Sequence, residues 1–219
     1  MTASREDYLK AIYDAGGIWK KVSTTTVAKA LRIASASVTE MAVRLSHEGL
    51  VSYEPYKGVQ LTEKGLSACI NVVRSHELWE VFLVEYLGYS LSQSHAEAEA
   101  LEHATSPMLA ERLDEFLRHP ETCPHGGLIP RPGVMPEKRE MEKLSECGEC
   151  DEAVIVRIEE EKELLEYLDK MSIKAGDRIE VISYGEYECP VTIKCGDRLI
   201  MLSRKAAERI FVSVCRGGE

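Results

Sequence analysis

The sequence predicts a multi-domain α+β protein, and three observations support this fold class. Three helices followed by a hairpin open the chain, and this order is typical of a winged helix-turn-helix. The middle section reads as long helices with apolar stripes, which predict an α-helical dimerisation domain. The last section alternates short strands with Gly-Asp turns, a pattern typical of a small SH3-like β-barrel. We expect domains at 1–62, 63–137 and 153–219, with a linker at 138–152.

Composition favours a folded cytoplasmic protein. Hydrophobic residues make up 44% of the 219 residues, which is enough for packed cores. No apolar run approaches the ~20 residues that cross a bilayer, and the N-terminal stretch lacks the apolar centre of a signal peptide. The seven cysteines are scattered and odd in number. We therefore expect mostly reduced thiols, a cytoplasmic location and no membrane partner.

The distribution of charge leaves DNA binding open, although the net charge of −10 argues against nucleic acid. Residues 1–62 contain eight Lys or Arg and six acidic residues, a net charge of +2, so the remainder carries −12. The N-terminal domain can therefore approach DNA phosphates. Because the basic excess is small, useful affinity would require a dimer, which doubles the number of phosphate contacts.

The N-terminal domain holds the candidate DNA-binding residues. The pattern predicts helices at 4–15, 25–31 and 35–47 and strands at 50–54 and 59–61, with Thr24 or Thr25 capping the second helix. The third helix would enter the major groove, and the hairpin tip would reach a phosphate. The side chains expected at DNA are Ser35, Ser37, Thr39, Glu40 and Lys57. The alternative is a small helical domain that binds nothing.

Three helices are predicted in the middle section. Thr62 caps the first, at 63–87; the second covers about 92–104, and the third runs from Ser106-Pro107 to Arg118. Apolar stripes on the first and third helices predict a two-fold dimer surface made by Trp79, Phe82, Leu83, Leu109, Leu113, Phe116 and Leu117. Residues 119–136 hold five of the eight prolines, so we interpret them as a boundary segment.

Six metal-capable side chains lie on the first two of these helices. They are His76, Glu80, His95, Glu99, Glu102 and His103. At 100° per residue the last four fall within about a quarter-turn of one helix face, and the first two are stacked at i and i+4. Imidazoles and carboxylates that converge on rigid helices suit a divalent transition metal. The alternative is a solvated Glu/His face on an amphipathic helix.

Two short cysteine motifs give weaker signals. Cys123 and His125 are two residues apart and can chelate one metal, but the pair alone is weak evidence. Cys147 and Cys150 resemble half of a zinc site or a redox pair. Because no second such pair stands at zinc-site spacing, we expect both to be free surface thiols.

The C-terminal section predicts a helix at 162–171, strands at 178–183, 189–194, 198–202 and 209–214, and a helical turn at 203–207.

Several motifs together resemble the DtxR/MntR family of metal-dependent transcriptional repressors, over essentially the whole chain. They are the EDYLKAIY opening, the LTEKG start of the long helix, the H-E-L-x-E and E-x-x-E-H runs, and TCPHGGLIP. The C-terminal section is similar to the FeoA/SH3-like module of the longer members. Within the family, the chain most resembles the manganese-responsive streptococcal-type repressors.

The resemblance implies two metal sites. The primary site maps onto Asp7, Glu99, Glu102 and His103. The second site maps onto Glu80, Cys123, His125 and Glu160, with His76 and His95 as alternatives because iron-type members use their equivalents together with that of Glu80. Lys10 stands where small two-domain manganese members carry a further glutamate ligand, so a binuclear cluster of their kind is not expected.

The ligand types favour Mn²⁺. Iron-type members place Met and Cys at the positions of Asp7 and Glu99, whereas this chain has two carboxylates there. Hard oxygen ligands suit Mn²⁺ better than softer ions. The alternatives are Fe²⁺, and Zn²⁺ in vitro.

The resemblance implies a homodimeric repressor that binds a palindromic operator on double-stranded DNA and silences metal-uptake genes when metal is plentiful. No small organic substrate is expected. A metal-dependent hydrolase is the alternative from another class, but no general base or nucleophile stands out beyond the ligands. A DNA-binding module whose His and Glu residues are structural is the remaining alternative.

Overall fold

The computed structural model of the protein describes residues 5–187 and 189–215. The chain forms two compact units, the first made by residues 1–75, 105–110 and 130–138 and the second by residues 76–104, 111–129 and 139–219. The outer ends of the predicted terminal domains, residues 1–4 and 216–219, lie outside the described residues.

A winged helix-turn-helix makes up most of the first unit. It consists of α1 (Arg5–Asp14), α2 (Thr24–Leu31), α3 (Ser35–His47), β1 (Val51–Glu54) and β2 (Gly58–Leu61), in the predicted order. The two strands pair antiparallel. The predicted cap of α2 is wrong: Ser23, not Thr24 or Thr25, takes that role, because its hydroxyl accepts a hydrogen bond from the Thr26 N–H at 3.0 Å.

The hairpin of this unit is fixed next to its turn by a close backbone approach. Val22 and Val59 exchange two backbone hydrogen bonds of 2.8 Å. Gly58 beside them has a φ of +112°, and a Cβ atom at this position would lie 2.2 Å from the Val22 carbonyl oxygen. Only glycine fits there. The hairpin tip therefore has a defined place beside the start of α2.

The long helix α4 (Glu63–Leu87) has the predicted bounds. The Thr62 hydroxyl accepts a hydrogen bond from the Gly65 N–H at 3.1 Å, which confirms the predicted cap. Gly88 follows the helix with a φ of +70°, the left-handed conformation that ends many helices. The helix begins in the first unit and ends in the second.

The next helix, α5 (Leu91–Leu101), differs from the prediction at both ends. It begins one residue earlier because Ser90 and Gln93 form a capping box, in which each side chain bonds the other residue's backbone N–H. Its predicted last turn is instead a 3-10 turn at 102–104. The tighter winding rotates the side chains of this turn away from the face expected on a continuous α-helix.

Large apolar side chains remain exposed on α4 and on α6 (Pro107–Phe116). They include Tyr86, Leu87, Met108, Leu109 and Phe116. Of the residues predicted for the dimer surface, Leu83, Leu113 and Leu117 are buried within the chain and cannot form it. In the second unit the rings of Tyr86 and Phe116 are exposed and lie 5.1 Å apart, an apolar pair that supports an interaction surface there. No helix within the described residues is long and apolar enough to cross a membrane.

The second unit contains an antiparallel sheet and two further helices. The strands are β3 (Glu142–Lys143), β4 (Glu152–Ile158), β5 (Arg178–Tyr184), β6 (Val191–Cys195), β7 (Arg198–Leu202) and β8 (Ile210–Val214), in the spatial order β3-β8-β4-β5-β6-β7. The helices are α7 (Lys162–Asp169) and α8 (Arg204–Ala207). Fully buried aliphatic side chains such as Ile155, Leu165 and Ile193 form the core.

The sheet begins earlier in the chain than the sequence predicts. β3 and β4 were not predicted, and β3 lies inside the segment 138–152 that was interpreted as a linker. Leu144, which follows β3, is fully buried in the core of the sheet and anchors this segment. Of the pair Cys147 and Cys150, the first is buried and the second is exposed, so the prediction of two surface thiols is wrong for Cys147.

Candidate metal centre and DNA-binding surface

Glu80 lies at the centre of a buried group of ligand-type side chains. We call this group the buried ligand cluster; its members are His76, Glu80, His95, Cys123, His125 and Glu160, all in the second unit. The Glu80 side chain is fully buried on α4. Its Oε1 lies 2.9 Å from His76 Nε2 and 3.1 Å from His95 Nδ1, and its Oε2 lies 2.8 Å from His125 Nδ1.

A buried loop brings Cys123 and His125 to Glu80, so the interpretation of 119–136 as a mere boundary is wrong for this part. The Cys123 N–H donates to the Gly127 carbonyl and the Gly126 N–H to the Cys123 carbonyl, each at 2.9 Å. Gly126 has a φ of +86°, and a Cβ atom there would lie 2.0 Å from the Val156 carbonyl oxygen. Glycine therefore lets the loop lie directly against β4.

Glu160 reaches the cluster from the chain that follows β4. The backbone N–H of Ile158, at the end of that strand, donates to the His125 carbonyl at 2.8 Å. Two residues later, Glu160 Oε2 lies 3.6 Å from His95 Nδ1. The sheet thus supplies one carboxylate to a cluster whose other members lie on α4, α5 and the buried loop.

Hydrogen bonds on the far side of two imidazole rings fix their orientation. His125 Nε2–H donates to the Leu91 carbonyl at 3.2 Å, so Nδ1 faces Glu80. His76 Nδ1 lies 2.6 Å from Glu102 Oε2, so Nε2 faces Glu80. Partners of this kind are typical of histidines that bind metals, because they set the tautomer and the ring angle.

Burial and charge together keep protons in the cluster when no cation is bound. Burial alone would raise the pKa of Glu80, but the charges of His125 and His76 hold it well below its usual value. Burial alone would lower the pKa of His125, but Glu80 raises it to about 9. Burial and then the charges of Glu77 and Glu80 raise the pKa of the Cys123 thiol well above its usual value. A divalent cation can replace these protons.

The side chains of both predicted versions of the second site lie close together in the structure. His76, Glu80, His95 and Glu160 each offer a ligand atom within 4.8 Å of the others, and so do Glu80, Cys123, His125 and Glu160. The structure therefore brings together every residue assigned to the second site, including its two alternatives. The donors are nitrogen, oxygen and sulfur, a mixture that suits divalent first-row metals.

The four residues predicted for the primary site have different surroundings. Asp7 is half-buried on α1 of the first unit. In the second unit Glu99 is exposed, and its Oε1 lies 3.6 Å from His95 Nε2. Glu102 is buried, and its Oε1 lies 3.3 Å from the exposed His103 Nε2 while its Oε2 faces His76. Glu102 therefore touches both predicted sets, and the primary set stays a prediction.

Glu77 lies beside the buried ligand cluster, and the sequence did not single it out. Its carboxylate is buried and hydrogen-bonds the Cys123 thiol. A Cβ atom on Gly127 would lie 2.5 Å from its Oε1, so the buried loop packs against it. Burial, followed by the charges of Glu80 and Glu160, raises its pKa to about 8. Its spacing of three residues from Glu80 on one helix was the available signal.

Asp169, at the end of α7, is a second residue that the sequence did not reveal. Its carboxylate accepts hydrogen bonds from the backbone N–H groups of Leu91 and Ser92, at 3.0 and 3.2 Å. It also accepts the Ser92 hydroxyl at 2.8 Å. These bonds satisfy the start of α5, the helix that carries His95. A contact across more than seventy residues leaves no local sequence pattern.

The expected DNA-binding residues lie on the surface of the first unit, with two qualifications. Ser35, Ser37 and Glu40 are exposed, but the Thr39 hydroxyl donates to the Ser35 carbonyl at 3.0 Å, along its own helix. At the hairpin tip Lys57 Nζ lies 2.9 Å from Glu54 Oε2.

Lys21, which the sequence analysis did not single out, also pairs with Glu54. Hydrogen bonds from Lys21 and Lys57 lower the pKa of Glu54 to about 2. One carboxylate that stays ionised therefore holds both lysines at the β1–β2 hairpin, which we call the wing. Lys21, Lys57 and Glu54 together carry a net charge of +1, whereas Lys57 and Glu54 alone would be neutral.

Comparison with known families divides the chain into three matched segments. Residues 1–59 match the iron dependent repressor N-terminal DNA binding domain. Residues 62–131 match the iron dependent repressor metal binding and dimerisation domain. Residues 142–214 match the FeoA domain.

Individual relatives agree with this division. An HTH-type transcriptional regulator of Methanocaldococcus jannaschii is 41% identical over 122 residues, which cover 53% of this chain and 94% of that protein. The iron-dependent repressor IdeR of Mycobacterium tuberculosis is 34% identical over 135 residues, 60% of this chain and 59% of IdeR.

Solved structures match the chain over nearly its full length. A manganese-dependent transcriptional repressor in complex with manganese has a TM-score of 0.84 and 32% identity, covering 96% of this chain and 100% of that one. The manganese regulator SloR has a TM-score of 0.78 and 33% identity, covering 98% of this chain and 100% of that one.

Proposed function

The chain belongs to the DtxR/MntR family of metal-dependent transcriptional repressors, and on that premise we propose that Mn²⁺ is its corepressor and metal-uptake genes are its targets. It is a DNA-binding regulator and not an enzyme. The observation that carries the metal dependence is the buried ligand cluster, where three histidines, a cysteine and two glutamates converge. This cluster is the proposed second metal site, and it would take the same class of ion as the primary site.

The proposed primary ligands favour Mn²⁺. Asp7, Glu99 and Glu102 supply carboxylate oxygens and His103 supplies an imidazole, a set without a soft thiolate or thioether. The names of SloR and of the manganese-bound repressor point to the same metal, whereas IdeR is named for iron. Fe²⁺ is therefore the alternative corepressor. Zn²⁺ would also bind in vitro, as a relative named ScaR was solved with it.

Asp7 has a distinct role in this proposal. It is the single proposed primary ligand on the DNA-binding unit, while Glu99, Glu102 and His103 belong to the other unit. A bound cation supplies positive charge that carboxylates from both units can share. Asp7 would thereby restrict the orientations available to α1 and, through the packed core of its unit, to α3. DNA affinity would rise to the extent that the restricted state fits the operator better than the unrestricted ensemble.

The DNA-binding surface and the dimer complete the proposal. Ser35, Ser37, Thr39 and Glu40 would face the major groove, and Lys57 would contact a phosphate from the hairpin. The net charge of +2 on residues 1–62 is small, so a homodimer would double the phosphate contacts and match a palindromic operator. The exposed apolar side chains of α4 and α6 support that assembly, and the protein would act in the cytoplasm.

Two substitutions at Asp7 test the proposal. Asp7→Ala removes the shared carboxylate, so operator binding should lose its response to Mn²⁺ while the protein stays folded and dimeric. Asp7→Met keeps the reach of the side chain but softens the ligand, so the preference should shift from Mn²⁺ toward Fe²⁺. The measurement is affinity for a duplex selected from random DNA by the Mn²⁺-loaded protein, titrated with each metal.

Glu6→Ala is the matched control, because it removes the neighbouring carboxylate on the same helix. It should keep the wild-type response to Mn²⁺. If Asp7→Ala also keeps that response, Asp7 does not transmit metal occupancy. If Asp7→Ala and Asp7→Met show equal defects and no change in metal preference, Asp7 is merely structural.

A further inference from the structure

The two overlapping ligand sets of the buried cluster share Glu80 and Glu160 and differ in their other members. We propose that the cluster binds two divalent cations side by side, with Glu80 and Glu160 bridging them. One cation would lie against His76 and His95, the other against Cys123 and His125. This inference rests on the proposed function, because it deepens the second metal site of that function. In the proposed function the second site binds one ion with alternative ligands, whereas here it binds two ions at once.

The orientation of Glu80 is the first argument. One of its oxygens faces His76 and His95, and the other faces His125. A carboxylate that bridges two cations offers one oxygen to each of them in this way. Glu80 is fully buried on α4, so its orientation is set by the fold and not by solvent. Bridged pairs of this type hold their ions about 3.5–4 Å apart.

The spacing of the donor atoms is the second argument. His76 Nε2 and His95 Nδ1 are 3.2 Å apart. Two nitrogens bound to one ion at about 2.0–2.1 Å lie about 2.9–3.4 Å apart at tetrahedral or octahedral angles. Cys123 Sγ and His125 Nδ1 are 3.9 Å apart, within a few tenths of the about 3.6 Å that a tetrahedral ion with Zn-like bond lengths requires.

The separation of the two histidine sets is the third argument. His95 and His125 fall in different groups of mutually close ligand atoms, and their ring centroids are 6.0 Å apart. A single ion placed at either set therefore leaves the other set, already oriented toward Glu80, without a cation. His76 and His125 are each oriented by a bond to their second ring nitrogen, so both sets are prepared.

Glu77 provides the fourth argument. Its Oε2 is buried, and no described side chain or backbone group gives it a hydrogen bond. An uncompensated buried carboxylate oxygen is costly. Because Glu77 lies beside Cys123, a cation held by Cys123 and His125 would give this buried oxygen a favourable electrostatic neighbour. This argument supports only the ion at Cys123 and His125, because His76 and His95 already contact the Glu80 carboxylate.

Electron paramagnetic resonance of the full-length protein loaded with Mn²⁺ tests the pair without any substitution. Two Mn²⁺ ions joined by carboxylates should give an exchange-coupled spectrum in addition to the signal of the primary ion. The number of bound ions per chain, measured by equilibrium dialysis and elemental analysis, should be three. A spectrum of isolated Mn²⁺ alone at saturation, or a count of two, would overturn the proposal.

Two substitutions assign the ions to their sets. His95→Gln should lose one bound ion per chain and the coupled spectrum, yet keep the sulfur-to-metal absorption band of the Co²⁺-loaded protein. Cys123→Ser should lose one ion and the coupled spectrum together with that band. His119→Gln and Cys150→Ser are the matched controls, because both side chains lie outside the cluster, and they should behave as wild type. If His95→Gln binds as many ions as wild type, the pair does not exist.

These measurements separate the pair from the proposed function, because they are made without DNA. A coupled pair in a protein whose operator affinity ignores Mn²⁺ would contradict the proposed function and leave the pair intact. Conversely, Mn²⁺-dependent operator binding by a protein with a single ion in the cluster would overturn the pair alone.

Discussion

Glu54 in the wing and Glu80 in the buried ligand cluster are both carboxylates placed between basic groups, but in opposite surroundings. Glu54 pairs with Lys21 and Lys57 at the surface, where water screens the charges. Glu80 pairs with His76 and His125 and is fully buried. The lysine partners of Glu54 can exchange it for DNA phosphates, whereas Glu80 holds its histidine partners in fixed directions. Burial, and not charge pairing, distinguishes the candidate metal site from the candidate DNA-binding site.

The largest expected effect comes from removing each carboxylate in turn, in excess chelator. Glu80→Ala removes the buried carboxylate that pairs with both His76 and His125, so the free energy of unfolding should fall by about 3–5 kcal/mol. Glu54→Ala should change it too little to resolve, because its partners are solvated. Urea unfolding followed by circular dichroism measures both. Equal losses in the two variants would mean that burial does not separate the two regions.

The pH dependence of this loss has a definite sign. Glu80 raises the pKa of His125 from 6.5 to about 9, so the His125 contribution is fully present below the ordinary value. It is lost as pH rises through the raised value. The difference between wild type and Glu80→Ala should therefore shrink between the ordinary pKa and about 9. A difference that grows over this range would contradict the assigned pairing.

Asp169 is an intermediate case, since it is half-buried and caps α5. Asp169→Ala should cost about 1 kcal/mol locally, typical of a lost helix cap, and should speed amide hydrogen exchange at Leu91 and Ser92 by about fivefold. Its hydrogen bonds with Ser92 lower its pKa despite burial. The stabilisation is thus present at neutral pH and lost as pH falls through that lowered value.

Asp177→Ala is the matched control for this prediction. Asp177 caps a different backbone N–H, that of Lys174, at 2.9 Å. Asp177→Ala should therefore leave the amide exchange rates of Leu91 and Ser92 unchanged. Unaltered exchange at these two amides in Asp169→Ala would show that the cap does not hold α5.

The smallest expected effect concerns the wing. Lys57→Ala should weaken DNA binding for all sequences and reduce the slope of log affinity against log salt by about one ion per chain. Glu54→Gln should do the opposite, because it releases Lys21 and Lys57 to phosphates. Affinities measured over a range of salt concentrations give both slopes. Slopes equal to wild type in both variants would remove the wing from the DNA contact.

The difference between the two regions also explains what the sequence could predict. The bounds of α3 and α4 follow from apolar periodicity and local caps, and the structure has both helices as predicted. His76 and Glu80 were found because helical spacing places them on one face. These features depend on residues within a few turns of one another.

Long-range packing accounts for what the sequence could not predict. The prolines around Cys123 indicated a boundary, but Gly126 lets the backbone lie against β4 and buries the loop. The position of Glu77 on α4 would also fit a solvated surface glutamate. Only its hydrogen bond to Cys123, which comes from a distant loop, shows that it is buried at the cluster. Asp169 reaches α5 from a helix in the sheet region. No local pattern encodes such approaches.

The most direct test of the central claim is the affinity of the wild-type protein for its selected DNA duplex, in excess chelator and in Mn²⁺. If metal binding and DNA binding are coupled through the chain, Mn²⁺ should raise the affinity by about 5–150-fold, the usual range for coupling between sites. Fe²⁺ should give a smaller increase. Equal affinity in chelator and in Mn²⁺ would contradict the account, because the ligand residues would then have no effect on DNA binding.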